Sequence, residues 1–192
     1  MKRKTNNKKV IAIGMILLLV ISIGYAALST NLTINGTANI SATSWNIYFD
    51  NVQVTTGSVT GDKVTTAPTV EANSTSTVAL TYTVTLDEPG DFYEFTVDVV
   101  NGGTIDAKIA EGGITKTTLS ASEDILANYT VTYSNGDAIS EGDTLAKSGA
   151  TGDTKTIKVR VEYDSNVTAE QLGAMANDMT LTLTFALDYV QA

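Results

Sequence analysis

Apolar and polar residues alternate with period two through much of this chain. In TVALTYTVTL (77–86), Val78, Leu80, Tyr82, Val84 and Leu86 share one face, and four of the five residues opposite are threonine. TIKVRVEY (156–163) sets Ile157, Val159, Val161 and Tyr163 against Lys158, Arg160 and Glu162. FYEFTVDVV (92–100) and MTLTLTFALDY (179–189) repeat the pattern. Runs with a single apolar face predict antiparallel sheets packed through their apolar sides. Further strands are expected at 31–40, 44–54, 105–109, 114–119 and 128–133. Turn signals separate the runs: EPGD at 88–91, NGG at 101–103, EGG at 111–113, SNGD at 134–137 and SGATGD at 148–153. The expected fold is all-β: an antiparallel β-sandwich, jelly-roll-like or Ig-like.

Two segments depart from the alternation. VTAEQLGAMAND (167–178) carries Thr168 and Gln171 at capping-box spacing, and Val167 with Leu172 at staple spacing, which predicts one short helix over 168–178 near the C-terminus. Residues 55–76 are rich in Thr, Ser and Gly and read as a long loop or an edge hairpin. No second domain is expected, so residues 27–192 are assigned to a single β-sandwich domain.

The N-terminus follows another logic. Lys2, Arg3, Lys4, Lys8 and Lys9 precede an apolar run from Val10 to Leu28 that only Gly14, Ser22 and Gly24 interrupt. A basic head, an apolar middle and the small residues Gly24 and Ala26 predict a hydrophobic signal helix over residues 1–26, cleaved between Ala26 and Ala27. The alternative is an uncleaved membrane anchor, because 19 residues suffice to span a bilayer. Either way the chain is expected to be secreted, at the cell surface or in an extracellular matrix, and to meet a membrane only through this segment.

Charge sharpens that expectation. Beyond residue 26 the chain keeps seven basic and 21 acidic residues, a net charge of −14. Nucleic-acid backbones and anionic lipid surfaces repel such a chain, and neither is expected as a partner. Cysteine is absent, so no disulfide framework supports the fold. Histidine is absent too, which removes Ser-His-Asp and Cys-His catalysis and an HExxH zinc site. Glu88 with Asp91, and Asp137 with Glu141 and Asp143, are the carboxylate groups that glycoside hydrolysis would need, but neither lies among aromatic residues. The one Trp, Trp45, falls in a strand pattern with Ile47 and Phe49, as a core residue does. No enzyme activity and no cofactor are expected.

Calcium is a weak alternative for the acidic loops. Asn135, Asp137, Glu141 and Asp143 form one oxygen-rich set, and Asp164, Asn166 and Glu170 a second. Neither has EF-hand spacing, and Asn, Asp and Gly form turns on their own account, so no metal ligands are assigned. Asn-x-Thr triplets such as Asn35-Gly-Thr37 and Asn128-Tyr-Thr130 are chance-level in a chain with 31 threonines.

The segment that would follow cleavage alternates strongly, with Leu28, Leu32 and Ile34 on one face and Ser29, Asn31, Thr33 and Asn35 on the other. A terminal strand of this kind can join its own sandwich or add to the open sheet edge of a neighbour. Passed from subunit to subunit, it makes a heterologous contact that grows into a filament.

IGYAALSTNLTINGTANI (23–40) after the lysine-rich start, together with WNIYFDNVQV (45–54), resembles the N-terminal region of Gram-positive secreted proteins of the TasA/camelysin family, which a dedicated SipW-type signal peptidase processes. EPGDFYEFTVDVVNGGTIDAKI (88–109) is similar to that family's turn, strand and Asn-Gly bend, and TKTIKVRVEYD (154–164) to one of its late strands. The resemblance implies a jelly-roll-like sandwich and a cell-surface or biofilm-matrix fibre built by donor-strand exchange. It implies Leu28, Leu32 and Ile34 as the strand-donor interface. A metalloprotease activity described for camelysin is not carried over, since this chain has no histidine. The competing expectations are a monomeric extracellular module binding carbohydrate or a host protein, and a membrane-anchored surface protein.

Overall fold

The alternating runs become strands wherever one face can be buried. The computed structural model describes residues 15–16, 43–69, 77–168, 170–171 and 179–192. The chain divides into two units, Met1–Ser41 and Ala42–Ala192. In the first, only Met15 and Ile16 are described, both helical and exposed. Among the described residues no helix is long and apolar enough to cross a membrane. The signal helix over 1–26 and the strand at 31–40 otherwise lie outside the described residues.

The second unit is mostly β. Its strands are β1 (Ile47–Val54), β2 (Val64–Thr66), β3 (Thr77–Leu86), β4 (Phe92–Asn101), β5 (Ala107–Lys116), β6 (Ala127–Tyr133), β7 (Thr144–Leu145), β8 (Thr154–Tyr163) and β9 (Met179–Gln191). They form two antiparallel sheets, one in the order β1-β4-β8-β6 and the other β2-β3-β9-β5-β7. The apolar faces meet in a single core. Ile47, Phe49, Phe95, Val97, Ile157, Val159 and Val161 from the first sheet and Leu80, Tyr82, Val84, Leu183, Phe185 and Leu187 from the second are at most 2% exposed. Tyr82 packs on Tyr93 and Phe95, and Phe49 on Phe185, across the interface.

The outward faces differ in chemistry. On the first sheet, Arg160 lies over the Phe92 ring at 4.1 Å and pairs with Glu94 at 3.2 Å and Glu162 at 3.0 Å. On the second, β3 and β9 bring threonines directly opposite one another. Their hydroxyl oxygens stand 3.0 Å apart for Thr81–Thr184 and Thr83–Thr182, and 2.9 Å for Thr85–Thr180. Thr77 donates to Asp188 at the end of the same ladder. Cross-strand threonine pairs of this kind add a few tenths of a kcal/mol each, up to about 1 kcal/mol.

Two expectations are corrected. The strands expected at 105–109 and 114–119 are one strand, β5, and the EGG between them is a bulge, not a turn: the register against β9 shifts between Ile109 and Ile114. Gly112 takes φ +67°, and a Cβ on Gly113 would stand 2.8 Å from the Asp188 carbonyl oxygen, so both positions require glycine. A short helix, α1 (Ala121–Leu126), stands where none was expected. It carries a complete capping box: Ser120 Oγ accepts from the Glu123 N–H and Glu123 Oε2 from the Ser120 N–H. Segment 55–69 holds a single 3₁₀ turn (Gly61–Lys63) and the edge strand β2, which pairs with β3, so its described part is hairpin-like.

The capping residues of the helix expected at 168–178 do meet. Gln171 Oε1 accepts from the Thr168 N–H at 2.8 Å, and Glu170 and Gln171 are helical. Residues 169 and 172–178 lie outside the described residues. Trp45 packs against the core as expected, but its indole N–H is buried without a hydrogen-bond partner.

Candidate functional site

The sequence holds no imidazole or thiol, and the edges of the two sheets carry main-chain donors and acceptors able to pair with a further strand. Strand order places β1 at the edge of the first sheet, and β3 at the edge of the second beyond the reach of the three-residue β2. These two edges lie on the same side of the core, where β1 touches β3.

The ladder geometry decides which main-chain groups look outward. The Gly102 N–H donates to the Asn46 carbonyl, so in the alternating antiparallel pattern Asn46, Tyr48 and Asp50 bond to β4, while Ile47 and Phe49 turn their N–H and C=O groups away. Thr184 accepts from the Thr117 N–H and donates to Thr117 Oγ1, so it faces the β5 side of β9. The odd-numbered residues of β9 therefore bond to the even-numbered residues of β3, and Ala79 and Thr81 direct their main-chain groups outward. Among the described residues no strand pairs with the outer edge of Ile47–Phe49 or of Ala79–Thr81. The inward side chains along this rim, Ile47, Phe49, Val78, Leu80 and Tyr82, are core residues.

The far edge of the first sheet is guarded. Ser134 donates to the Thr156 carbonyl, which leaves the main-chain N–H and C=O groups of Tyr129, Val131 and Tyr133 of β6 directed away from β8. Lys116 reaches from β5 to donate to the Tyr129 carbonyl at 3.5 Å, with its ammonium 5.8 Å from the Tyr129 ring centre. The SNGD hairpin folds back so that Asp137 O accepts from the Tyr133 N–H at 2.9 Å, and Thr132 bridges to Ala138. A charged lysine and a returning loop are the usual means of blunting a sheet edge. At its far end the second sheet carries only the two-residue β7. Among the described residues the β1/β3 side is thus left without a pairing strand at Ile47–Phe49 and Ala79–Thr81, and β1 itself is interrupted there. Asn51 takes φ +54°, its side chain donates to Asp98, and the register against β4 shifts between Asp50 and Gln53.

The residues singled out from sequence divide as follows. Leu28, Leu32 and Ile34, and the cleavage pair Ala26 and Ala27, lie outside the described residues. Of the carboxylates considered for hydrolysis, Asp91 closes the EPGD turn: its Oδ2 accepts from the Asp87 and Glu88 N–H groups at 3.0 and 3.2 Å and faces the Lys63 ammonium at 3.5 Å. Of the oxygen-rich loops, Asn135 and Asp137 hydrogen-bond to each other and Glu141 accepts from the Gly112 N–H of the β5 bulge. Asp143 accepts from Tyr133 Oη and the Ser140 N–H, and Asp164 from Asn166. Among the described residues no group of three or more acidic side chains is arranged to hold a metal ion.

Two residues that matter were not singled out. Asn101 is 1% exposed and pins the NGG bend, donating to the Ile105 carbonyl and accepting from the Gly103 N–H. Lys116 guards β6. The Asn-Gly pair signalled the first, whereas nothing local signals that Lys116 crosses between sheets. No protein-family model, no curated protein and no solved structure matches this chain.

Proposed function

We propose that this chain is an exported structural protein: a cell-surface or biofilm-matrix fibre subunit of the TasA/camelysin type that assembles by β-strand addition. In this reading the leader is cleaved between Ala26 and Ala27. The freed segment then adds to the sheet edge of the next subunit with Leu28, Leu32 and Ile34 as apolar anchors.

The observation that carries the reading is the asymmetry of the edges. The β1/β3 rim presents outward main-chain groups at Ile47, Phe49, Ala79 and Thr81, while the opposite edge is guarded by Lys116 and the SNGD hairpin. One receptive rim and one terminal strand give a head-to-tail contact that does not close, and hence a filament. Strand order supports the jelly-roll form of the sandwich: β3-β9-β5-β7 faces β4-β8-β6, and from β3 to β9 each successive strand changes sheet. The absence of histidine and cysteine from the whole sequence supports a structural over an enzymatic role.

Removal of residues 27–34 tests the proposal. The full mature chain is expected to form filaments under negative-stain electron microscopy, and the truncated chain to stay folded and soluble without them. Filaments of unchanged form from the truncated chain would overturn it.

A further inference from the structure

One end of the core breaks the apolar pattern that holds elsewhere. The inward-facing row of β8 reads Lys155, Ile157, Val159, Val161 and Tyr163, and Lys155 stands directly opposite the fully buried Val99 of β4. The inward row of β6 is Ala127, Tyr129, Val131 and Tyr133. Lys155 is thus a charged residue at a core-facing position. Its ammonium lies 4.8 Å from the centre of the Tyr133 ring and, among the described residues, pairs with no carboxylate. Local departures from an otherwise consistent pattern mark functional or strained positions.

Beside this pair opens a cavity of about 430 Å³, lined by Tyr133, Ser134, Asn135, Asp137, Asp143 and Lys155 among others, a volume within the range of small-molecule sites. Its polar groups are held by one another. Tyr133 Oη donates to Asp143 Oδ2 at 2.8 Å, and the same oxygen accepts from the Ser140 N–H at 2.9 Å. Asn135 Nδ2 donates to Asp137 Oδ2 at 2.7 Å, and the Asp137 N–H returns a bond to Asn135 Oδ1 at 3.0 Å. These bonds hold the side chains yet leave hydrogen-bonding capacity among the lining residues: the second oxygen of each carboxylate, the Lys155 N–H donors and the Ser134 hydroxyl.

The chemistry of the lining selects its ligand. A free cation meets the Lys155 ammonium, and an anion meets Asp137 and Asp143 in a strongly acidic chain. A group that both donates and accepts satisfies carboxylate and ammonium together, and vicinal hydroxyls do so. The Tyr133 ring and the Ala138 methyl add an apolar wall for the C–H faces of a sugar ring. We infer that the cavity between the SNGD hairpin and the start of β8 is a binding site for a neutral saccharide unit, with Asp137 and Asn135 taking vicinal hydroxyls and Lys155 donating to a neighbouring oxygen. This site stands apart from the β1/β3 rim and does not depend on assembly.

Titration calorimetry of the purified protein with soluble neutral oligosaccharides of glucose, mannose and N-acetylglucosamine, beside an oligogalacturonate, tests the inference. Saturable binding of at least one neutral sugar is expected. Asp137→Asn, which keeps the shape of the turn, and Lys155→Met should each weaken it about tenfold, as the loss of a charged hydrogen bond does. Circular dichroism should show both variants folded as the parent. No saturable heat with any neutral sugar at millimolar concentrations, affinity retained in both variants, or preferential binding of the oligogalacturonate would each overturn it.

Discussion

Tyr82 of β3 meets Phe95 of β4 edge to face, with ring centres 5.1 Å apart and planes at 87°, and this contact joins the two sheets at the middle of the core. The geometry uses the positive edge of one ring against the negative face of the other. The Tyr82 hydroxyl is buried with no partner at hydrogen-bond distance, beside a Tyr129 hydroxyl that donates to the Thr184 carbonyl. Tyr82→Phe is therefore expected to stabilise the fold by about 1 kcal/mol, and Phe95→Ala to destabilise it by about 3–5 kcal/mol. Urea denaturation of the three proteins measures both.

Burial also raises the proton affinity of the phenols. Tyr82, Tyr129 and Tyr189 are held above the ordinary tyrosine range chiefly by burial, and Tyr133 by burial together with its bond to Asp143. A raised folded-state value means that this stability is fully present below the unfolded value, about pH 10, and is lost as pH rises beyond it. The share of tyrosinate absorbance that belongs to these four of the eight tyrosines should rise together with loss of the circular-dichroism signal, in one cooperative alkaline transition. Ionisation of all eight phenols before unfolding would contradict this.

Asp91 sets the acid limb. Burial alone would raise its proton affinity, but the Asp87 and Glu88 N–H groups and the Lys63 ammonium outweigh burial and hold the carboxyl below the usual range. Its contribution is present above the unfolded value, about 3.9, and disappears as pH falls through the lower folded value. Asp91→Ala is expected to cost about 1–2 kcal/mol at neutral pH and progressively less in acid. Denaturation curves at a series of pH values show whether the two proteins converge.

Proline placed at the receptive rim separates assembly from folding. Ala79 faces its N–H away from β9, so Ala79→Pro removes an edge donor without breaking the internal ladder. Filament growth should be abolished while the isolated subunit loses no more than about 1 kcal/mol. Electron microscopy and thermal unfolding give the two readings.

Loss of the guard at the opposite edge should have the reverse effect. Lys116→Ala frees the outward Tyr129 carbonyl of β6. Disordered, branched association, seen as increased light scattering, is expected in place of regular filaments.

Much of the fold was legible because it depends on local alternation. The runs 77–86, 92–100, 156–163 and 179–189 carry the apolar rows that the core uses, since a strand with one polar face leaves its register little choice. EGG was misread for a physical reason: a glycine at positive φ serves a turn and a bulge alike, and only the distant Asp188 carbonyl over Gly113 distinguishes them. The Ser120–Glu123 box was as plain as Thr168–Gln171, but its helix is six residues long and passes directly into β6, so periodicity gave it no weight. The candidate site was less legible. Which edge stands open follows from pairings between residues up to 111 positions apart, and Lys116 acquires its role only once β5 lies near β6.

The ladder between β3 and β9 also bears on how the molecule comes into being. Thr77 finds Asp188 111 residues later, so β3 stays without its main partner until the last thirteen-residue strand emerges. Sheet closure awaits delivery of residues 179–191, and the second sheet stays unfinished until they emerge. A product shortened by premature termination before residue 179 would leave β3 and β5 without the strand that joins them, which makes β9 the clasp of the second sheet.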